Sequence, residues 1–367
     1  MLLKYLSIVF LNCFLISAES DNTVKAIWVV RDHMVRKELI DKVLKFAETN
    51  GFNHIFAQVR GRGDAYYNSS FVPKSHLVDA DFDPLAYLIK SNKNNNIKVH
   101  AWINIYYLWS SKSLPKQKEH LFLQKPEWLD RPRKDKYVKN IQYLNNNPIK
   151  IDGEGFYLAP TNPVAKDYLL NVVSELSEKY LLDGIHYDYI RFHNSKYGFN
   201  NAGLSEFRKL NKINIINPDE DDSVIFSEFK RSSITNFVKE AKGLIKRNLP
   251  NSIISAAVKP NIYDAKLSFF QEWDLWLSAG YLDWAVPMNY IVDNEKFVQN
   301  MYMIKDNLPT RYHDKIIVGI STYNQSARIV GKKIRRLRKM SFNNISIFSY
   351  NVFIDNPYYW KKLKKYF

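Results

Sequence analysis

The stretch Leu182–Phe192, LDGIHYDYIRF, places two aspartates five residues apart, with a histidine and an arginine, among residues typical of a buried strand. A carboxylate withdrawn from water is costly unless something compensates it, so charge in such a strand needs a use. At about 3.3 Å per residue, Asp183 and Asp188 stand roughly 16 Å apart, at opposite ends of the strand. Asp183, beside Gly184, has the character of a turn residue leading into the strand. Asp188, at the far end, is the candidate for chemistry, as nucleophile or general base; an ion pair with Arg191 is its structural alternative.

The elements that position these residues follow from the hydrophobic pattern. Strand-like runs occur at Ala26–Val30, His54–Arg60, Lys98–Tyr106, Gly184–Phe192, Ile253–Val258, Trp284–Tyr290, Lys315–Thr322 and Ser346–Asn351. Helical patterns fall between them, at about 36–49, 84–93, 162–180, 225–248, 269–279, 294–307, 325–339 and 357–365. The clearest is 162–180, where Asn162 suits the cap and Pro163 the first turn. Eight strand–helix units in one undivided chain predict an α/β fold, a single (β/α)8 TIM barrel over residues 19–367. A doubly wound sheet would bring a glycine-rich phosphate turn, and RGRGD at Arg60–Asp64 lacks that spacing. Long loops at 61–83, 107–161 and 193–224 follow strands 2, 3 and 4, on the side where barrels carry their sites.

Polar and aromatic residues near the C-terminal strand ends are therefore site candidates. They include Arg31, Asp32, Arg60, Asp64, Trp102, Asn104, Tyr106, Lys259, Asn289, Tyr290, Ser321, Tyr323, Tyr350 and Asn351. Aromatic platforms beside planar hydrogen-bonding groups read as a saccharide cleft. His100 and His186 share the inward face but lie deeper, as supports or as groups orienting a carboxylate. No H-E-x-x-H and no G-x-S-x-G is present, and no metal or cofactor is expected.

Composition excludes several classes. Of 367 residues 46% are apolar and 15% aromatic, too many for a disordered chain. Residues 1–18 have the order of a secretory signal, with the uncharged run Leu6–Ile16 and the small pair Ser17-Ala18, which predicts a secreted or periplasmic protein. No later run is long enough to span a membrane, so stable membrane insertion is not expected. The one cysteine, Cys13, lies inside the signal, which removes disulfides and thiol chemistry from the mature chain. The net charge of +16 comes with no nucleic-acid motif, and the basic run Gly331–Met340 fits the wet face of an amphipathic helix. Nucleic acid is not an expected partner; the oligomeric state stays open.

Several stretches resemble the glycoside-hydrolase-like family 10 of bacterial proteins. They are QVRGRGDAYY (Gln58–Tyr67), FDPLAYLIK (Phe82–Lys90), VHAWINIY (Val99–Tyr106) and YLAPTNPVAKDYLLNVVSEL (Tyr157–Leu176). YLLDGIHYDYIRF (Tyr180–Phe192), FKRSSITNFVKEAKGLIK (Phe229–Lys246) and SAGYLDWAVPMNY (Ser278–Tyr290) continue the match. The resemblance implies an exported glycosidase acting on a bacterial polysaccharide, a peptidoglycan glycan strand or an exopolysaccharide, with Asp188 at the family's strand-four aspartate. Many relatives carry a second aspartate directly after it; here that residue is Tyr189. Glycoside hydrolysis normally takes two carboxyls, one protonated and one ionised. Glu154 is the first choice for the acid and Asp64 the second, with Asp32 and Glu228 behind them. Arg60, His100, Trp102, Asn104, Tyr106, His186, Arg191, Lys259, Asn289 and Tyr290 are the expected substrate-binding residues. Two alternatives stand beside the hydrolase: a glycan-binding barrel without turnover, and a lyase using Lys259 as a Schiff-base nucleophile.

Overall fold

The computed structural model describes residues 23–92, 97–133, 149, 151, 153–212 and 224–367. The signal-like residues 1–18 lie outside them. Eight strands form one sheet: β1 (Lys25–Val29), β2 (His54–Arg60), β3 (Lys98–Asn104), β4 (Gly184–Asp188), β5 (Ile253–Val258), β6 (Trp284–Pro287), β7 (Val318–Ser321) and β8 (Ile345–Phe348). They run parallel in the order β6-β5-β4-β3-β2-β1-β8-β7. Bridges from Ala285 to Ile316 and from Met288 to Gly319 join β6 to β7 and close the circle. With helices after each strand this is the (β/α)8 barrel that the strand–helix alternation predicts.

Local chemistry explains why the elements begin where they do. The helix after β3 spans Pro163–Lys179, and Asn162 Oδ1 accepts the N–H groups of Val164 at 3.0 Å and Ala165 at 3.2 Å. At the bottom of the barrel one device recurs. The side chains of Asn53, Asp183, Asp283 and Asn344 accept the backbone N–H of Lys25, Val99, Ile254 and Val24, each at 2.8 or 2.9 Å. Each of these residues precedes a strand and ties down the start of the neighbouring one. Asp183 also holds Lys98 Nζ at 2.9 Å, so the first aspartate of LDGIHYDYIRF is structural.

The barrel interior is filled by large rings. Trp28, Phe56 and Trp102 are buried there with His100 and His186. Trp28 meets the His186 ring edge-on at 4.6 Å, and Phe56 lies 4.4 Å from it. His186 Nδ1 bonds Ser255 Oγ at 2.8 Å, and His54 Nδ1 shares a 2.8 Å hydrogen bond with His100 Nε2. Gly184 leaves room for this packing: a Cβ there would meet His100 Nδ1 at 2.2 Å and Ile253 O at 2.6 Å. Gly184→Ala is expected to cost about 1–3 kcal/mol through overpacking, read as a lower urea midpoint with an unchanged slope.

Strand β4 is shorter than its sequence pattern. It ends at Asp188, because Tyr189 takes a left-handed φ of 50°. The turn points the chain away from the sheet and brings Arg191 back over the mouth, where both Asp188 and Arg191 line one cavity.

Candidate active site

Asp188 pairs in register with Asn104 at the C-terminal end of the barrel. Trp102 Nε1–H lies between the two side chains, donating to Asn104 Oδ1 at 3.1 Å and to Asp188 Oδ2 at 3.2 Å. The other oxygen, Oδ1, accepts the Tyr189 N–H at 2.7 Å, and the left-handed turn is what aims that donor. Asn104 is oriented in turn by its bond to Gly61 O at 3.0 Å. Burial dominates the electrostatics of Asp188 and raises its pKa to about 6, although the Tyr189 N–H, the Arg191 charge and Trp102 pull the other way. This carboxyl holds a proton at a pH where an ordinary aspartate has lost it.

The second carboxylate arrives on the long loop after β3. A short antiparallel ribbon, Tyr107–Trp109 with Phe156–Tyr157, folds that loop over the mouth. Gly155 permits the ribbon, since it adopts a φ of 128° and a Cβ there would meet Trp109 O at 2.4 Å. Glu154 Oε2 accepts from Arg191 Nη2 at 2.7 Å and from the Tyr157 hydroxyl at 2.6 Å. Desolvation alone would raise this carboxyl, but Arg191, Tyr157 and Lys259 outweigh it and bring the pKa down to about 2. Arg191 itself is buried between the rings of Tyr189, Phe269 and Tyr157, at 5.0, 5.1 and 5.7 Å. Glu154, expected from the sequence as the protonated partner, is the one of the two that stays ionised to the lower pH.

Both carboxylates line a cavity of about 540 Å³, together with Trp102, Asn104, Arg191, Lys259 and Tyr290. The Lys259 ammonium sits 4.2 Å from the centre of the Phe269 ring; burial, and then Arg191, lowers its pKa. The Tyr290 hydroxyl is buried and meets no hydrogen-bond partner among the described residues.

Other expected site residues stand elsewhere. Arg60 is almost fully buried and donates to the carbonyls of Asn104 and Ile105, because a bulge between Gln58 and Arg60 turns its side chain out of the inward alternation. Tyr106 packs outward against Phe237, and Asn289 bonds Phe297 O and Asn300 behind the sheet. His100 and His186 lie fully buried below the cavity floor, out of reach of a substrate. Asp64 Oδ1 accepts the Arg62 N–H at 2.9 Å within its own turn, and neither it nor Asp32 lines the cavity. Glu228 pairs with Arg231 on a helix surface. Conversely, Trp28, Gln58 and Phe348 line the cavity without having been expected there. The inward alternation of His54, Phe56 and Gln58 on β2 contained the signal for Gln58.

The Glycosyl hydrolase-like 10 family model matches residues 20–331. The chain belongs to this family. Among its relatives, glycosyl hydrolase YngK of Bacillus subtilis (strain 168) is 22% identical over 312 residues, covering 76% of this chain and 56% of its own length. Glycosyl hydrolase DigH of Escherichia coli (strain K12) is 25% identical over 174 residues, 43% of this chain and 35% of DigH. This glycosyl hydrolase-like 10 chain thus matches about half or less of the length of either relative. The PgaB (BpsB) glycoside hydrolase domain from Bordetella bronchiseptica shares the fold with a TM-score of 0.71 at 11% identity, over 93% of this chain and 98% of that domain. The catalytic domain of a β-amylase from Paenibacillus polymyxa gives 0.61 at 11% identity, over 95% and 98%.

Proposed function

We propose that this protein is an exported glycoside hydrolase that cuts a bacterial polysaccharide, a peptidoglycan glycan strand or an exopolysaccharide, at the mouth of the barrel. The observation that carries the reading is a pair of carboxylates in one aromatic-walled cavity, Asp188 buried beside Trp102 and Glu154 bound by Arg191 and Tyr157. Burial raises the first to about 6 and Arg191 outweighs burial to bring the second down to about 2, so between these values one is protonated and the other ionised. Family membership supports the reaction class, and the signal-like residues 1–18 support export. No helix among the described residues is long and apolar enough to cross a membrane.

In this mechanism the glycan lies across Trp102, Tyr107 and Tyr290, with its scissile oxygen toward Asp188. The protonated Asp188 carboxyl gives its proton to the leaving oxygen as the glycosidic bond breaks. The sugar left behind carries developing positive charge, which the fixed negative charge of Glu154 stabilises. Arg191 and Tyr157 keep Glu154 ionised and in place, and water then adds its oxygen to the anomeric carbon while its proton passes to the ionised Asp188, which restores the starting state. Glu154→Gln should lower kcat by about 10²–10³-fold with less change in KM, because the charge is needed chiefly in the transition state.

The decisive assay counts reducing ends released from a panel of polysaccharides by the purified protein. New reducing ends on any polymer support the hydrolase. Tight binding with none released would establish a glycan-binding barrel in its place.

A further inference from the structure

The positive charge of the chain is not spread evenly. Residues 315–367 hold twelve lysines and arginines and one acid, Asp355, so eleven of the sixteen excess positive charges fall there. Ten of the twelve are exposed, on two elements packed against each other. Arg328, Lys332, Arg335, Arg336, Arg338 and Lys339 stand on the helix after β7, Ala327–Lys339. Lys361, Lys362, Lys364 and Lys365 stand on the closing helix and turn, Pro357–Leu363 and Lys364–Tyr366. Lys333 turns inward instead, to Gln325 Oε1 at 2.7 Å.

At about 100° per residue, Arg328, Lys332, Arg335 and Lys339 fall within roughly 60° of one another, a stripe about 16 Å long on the outer ring of the barrel. Neither element carries an acid, so each step along the stripe sets like charges three or four residues apart, which weakens a helix. The helix dipole favours cations in the last turn, where Arg336, Arg338 and Lys339 stand, but disfavours Arg328 in the first. Arg336 pairs with Glu295 at 3.0 Å, and Arg338 donates to Phe367 O at 3.0 Å. Among the described residues, no ion pair involves the other eight.

Packing of the chain end brings the two sets of cations together. Gly331, in the helix interior, leaves the space, since a Cβ there would run into the Tyr366 ring. Arg335 and Lys365 reach that same ring, 5.1 and 5.2 Å from its centre. Tyr358 shares the outward side of its helix with Lys361 and Lys362, three and four residues on, and is 72% exposed.

We propose that this face docks the protein onto the surface of a bilayer rich in anionic phospholipid, with the cations on headgroup phosphates and Tyr358 and Tyr366 at the headgroup boundary. Such a surface uses both kinds of residue at once. It is also flat, and so reaches cations that stand on the outside of two adjacent helices. Its negative charge offsets the repulsion that the stripe otherwise bears alone. The stripe begins five residues after Tyr323, which lines the mouth cavity, so docking sets the mouth beside the lipid. The proposal is independent of the reaction at that mouth.

The test is cosedimentation of the full chain with vesicles of phosphatidylcholine and phosphatidylglycerol in equal parts, and with phosphatidylcholine alone. Binding to the anionic vesicles should be at least about tenfold tighter and should fall as salt rises. Arg328→Gln, Lys332→Gln, Arg335→Gln and Lys339→Gln together should weaken it by about a hundredfold or more, at about fivefold per cation. The control is Arg208→Gln, Lys209→Gln, Lys239→Gln and Arg247→Gln together. It removes the same net charge from helices after β4, across the barrel from β8, and should cost less than about fivefold. Binding through the apolar run Leu6–Ile16 is common to all these proteins and cancels in the comparison. Glutamine is a good helix former and relieves the like-charge pairs, so the stripe variant should fold. If it did not, Arg328→Gln with Lys332→Gln and the salt series would make the same test. Equal binding to both vesicles, or equal loss in the stripe and control variants, would overturn the proposal. So would tighter binding of duplex DNA or of a polyuronate than of the anionic vesicles at one salt concentration, which would assign the face to that polymer.

Discussion

Asp188→Asn is expected to lower kcat on the order of 10³-fold while the far-ultraviolet circular dichroism and a cooperative unfolding transition persist. An amide has the shape of the carboxyl but cannot deliver a proton. Its oxygen can still accept from Trp102 Nε1–H or from the Tyr189 N–H, so the local frame retains an anchor. The structural alternative, in which Asp188 serves only as a counter-ion to Arg191, makes the opposite prediction: stability would fall and activity would survive. Geometry argues for the first outcome. Arg191 gives its short bond to Glu154 at 2.7 Å, whereas the hydrogen bonds to Asp188 come from Trp102 and Tyr189. Assay on the best polymer, with calorimetry on the same sample, separates the two.

The second large effect is on acid stability. Burial lowers the pKa of His54 from 6.5 to about 4 and of His186 to about 3, and puts His100 well below 6.5. These rings stay neutral in the fold while the unfolded chain takes up protons. Their contribution is complete above about pH 6.5 and is lost as the pH falls toward the folded values. Two aspartates act in the other direction. Burial raises Asp188 to about 6 and Asp130 to about 7, so the fold holds their protons through the same window. His33 and His120 are lowered by burial as well, and against burial Arg191 and Tyr157 hold Glu154 low. The groups that take up protons on unfolding therefore outnumber the two aspartates, and stability should fall as the pH drops through this window. Urea unfolding between pH 7 and pH 4.5 should show this fall. Asp188→Asn, which removes one opposing group, should steepen it. Stability independent of pH across this window, or a slope unchanged in the variant, would show that the histidines or Asp188 lack these shifts.

How far the sequence could be read depends on the kind of signal each residue carried. The barrel was legible because eight hydrophobic runs recur with helical patterns between them, and a residue such as Asn162 announces its helix locally. Asp183 and Asp188 could be told apart by strand position alone. Errors came where a strand end departs from regular pleating. The bulge at Gln58–Arg60 reverses the side on which Arg60 emerges, and a bulge leaves no mark in a hydrophobic pattern. Asn289 and Tyr290 are both expected in the site, but the strand ends at Pro287, and beyond it Tyr290 lines the cavity while Asn289 turns to Phe297 O and Asn300. The roles of the two carboxylates lay furthest out of reach. Glu154 stands on a loop, and its ionisation follows from Arg191 and Tyr157, which only the folded chain brings to it. The turn at Tyr189 that returns Arg191 to the mouth is equally invisible in a run that reads as continuous strand.

The central claim is that Asp188 is the proton-carrying carboxyl and Glu154 the ionised one, and the pH dependence of kcat/KM tests it most directly. That profile reports groups of the free protein. The raised pKa of Asp188 predicts activity that is full below about pH 6 and falls tenfold per pH unit above it, with Glu154 adding a limb only near pH 2. Activity that instead rises through pH 6 and holds on the alkaline side would mean that Asp188 works as the ionised group, and would contradict this account.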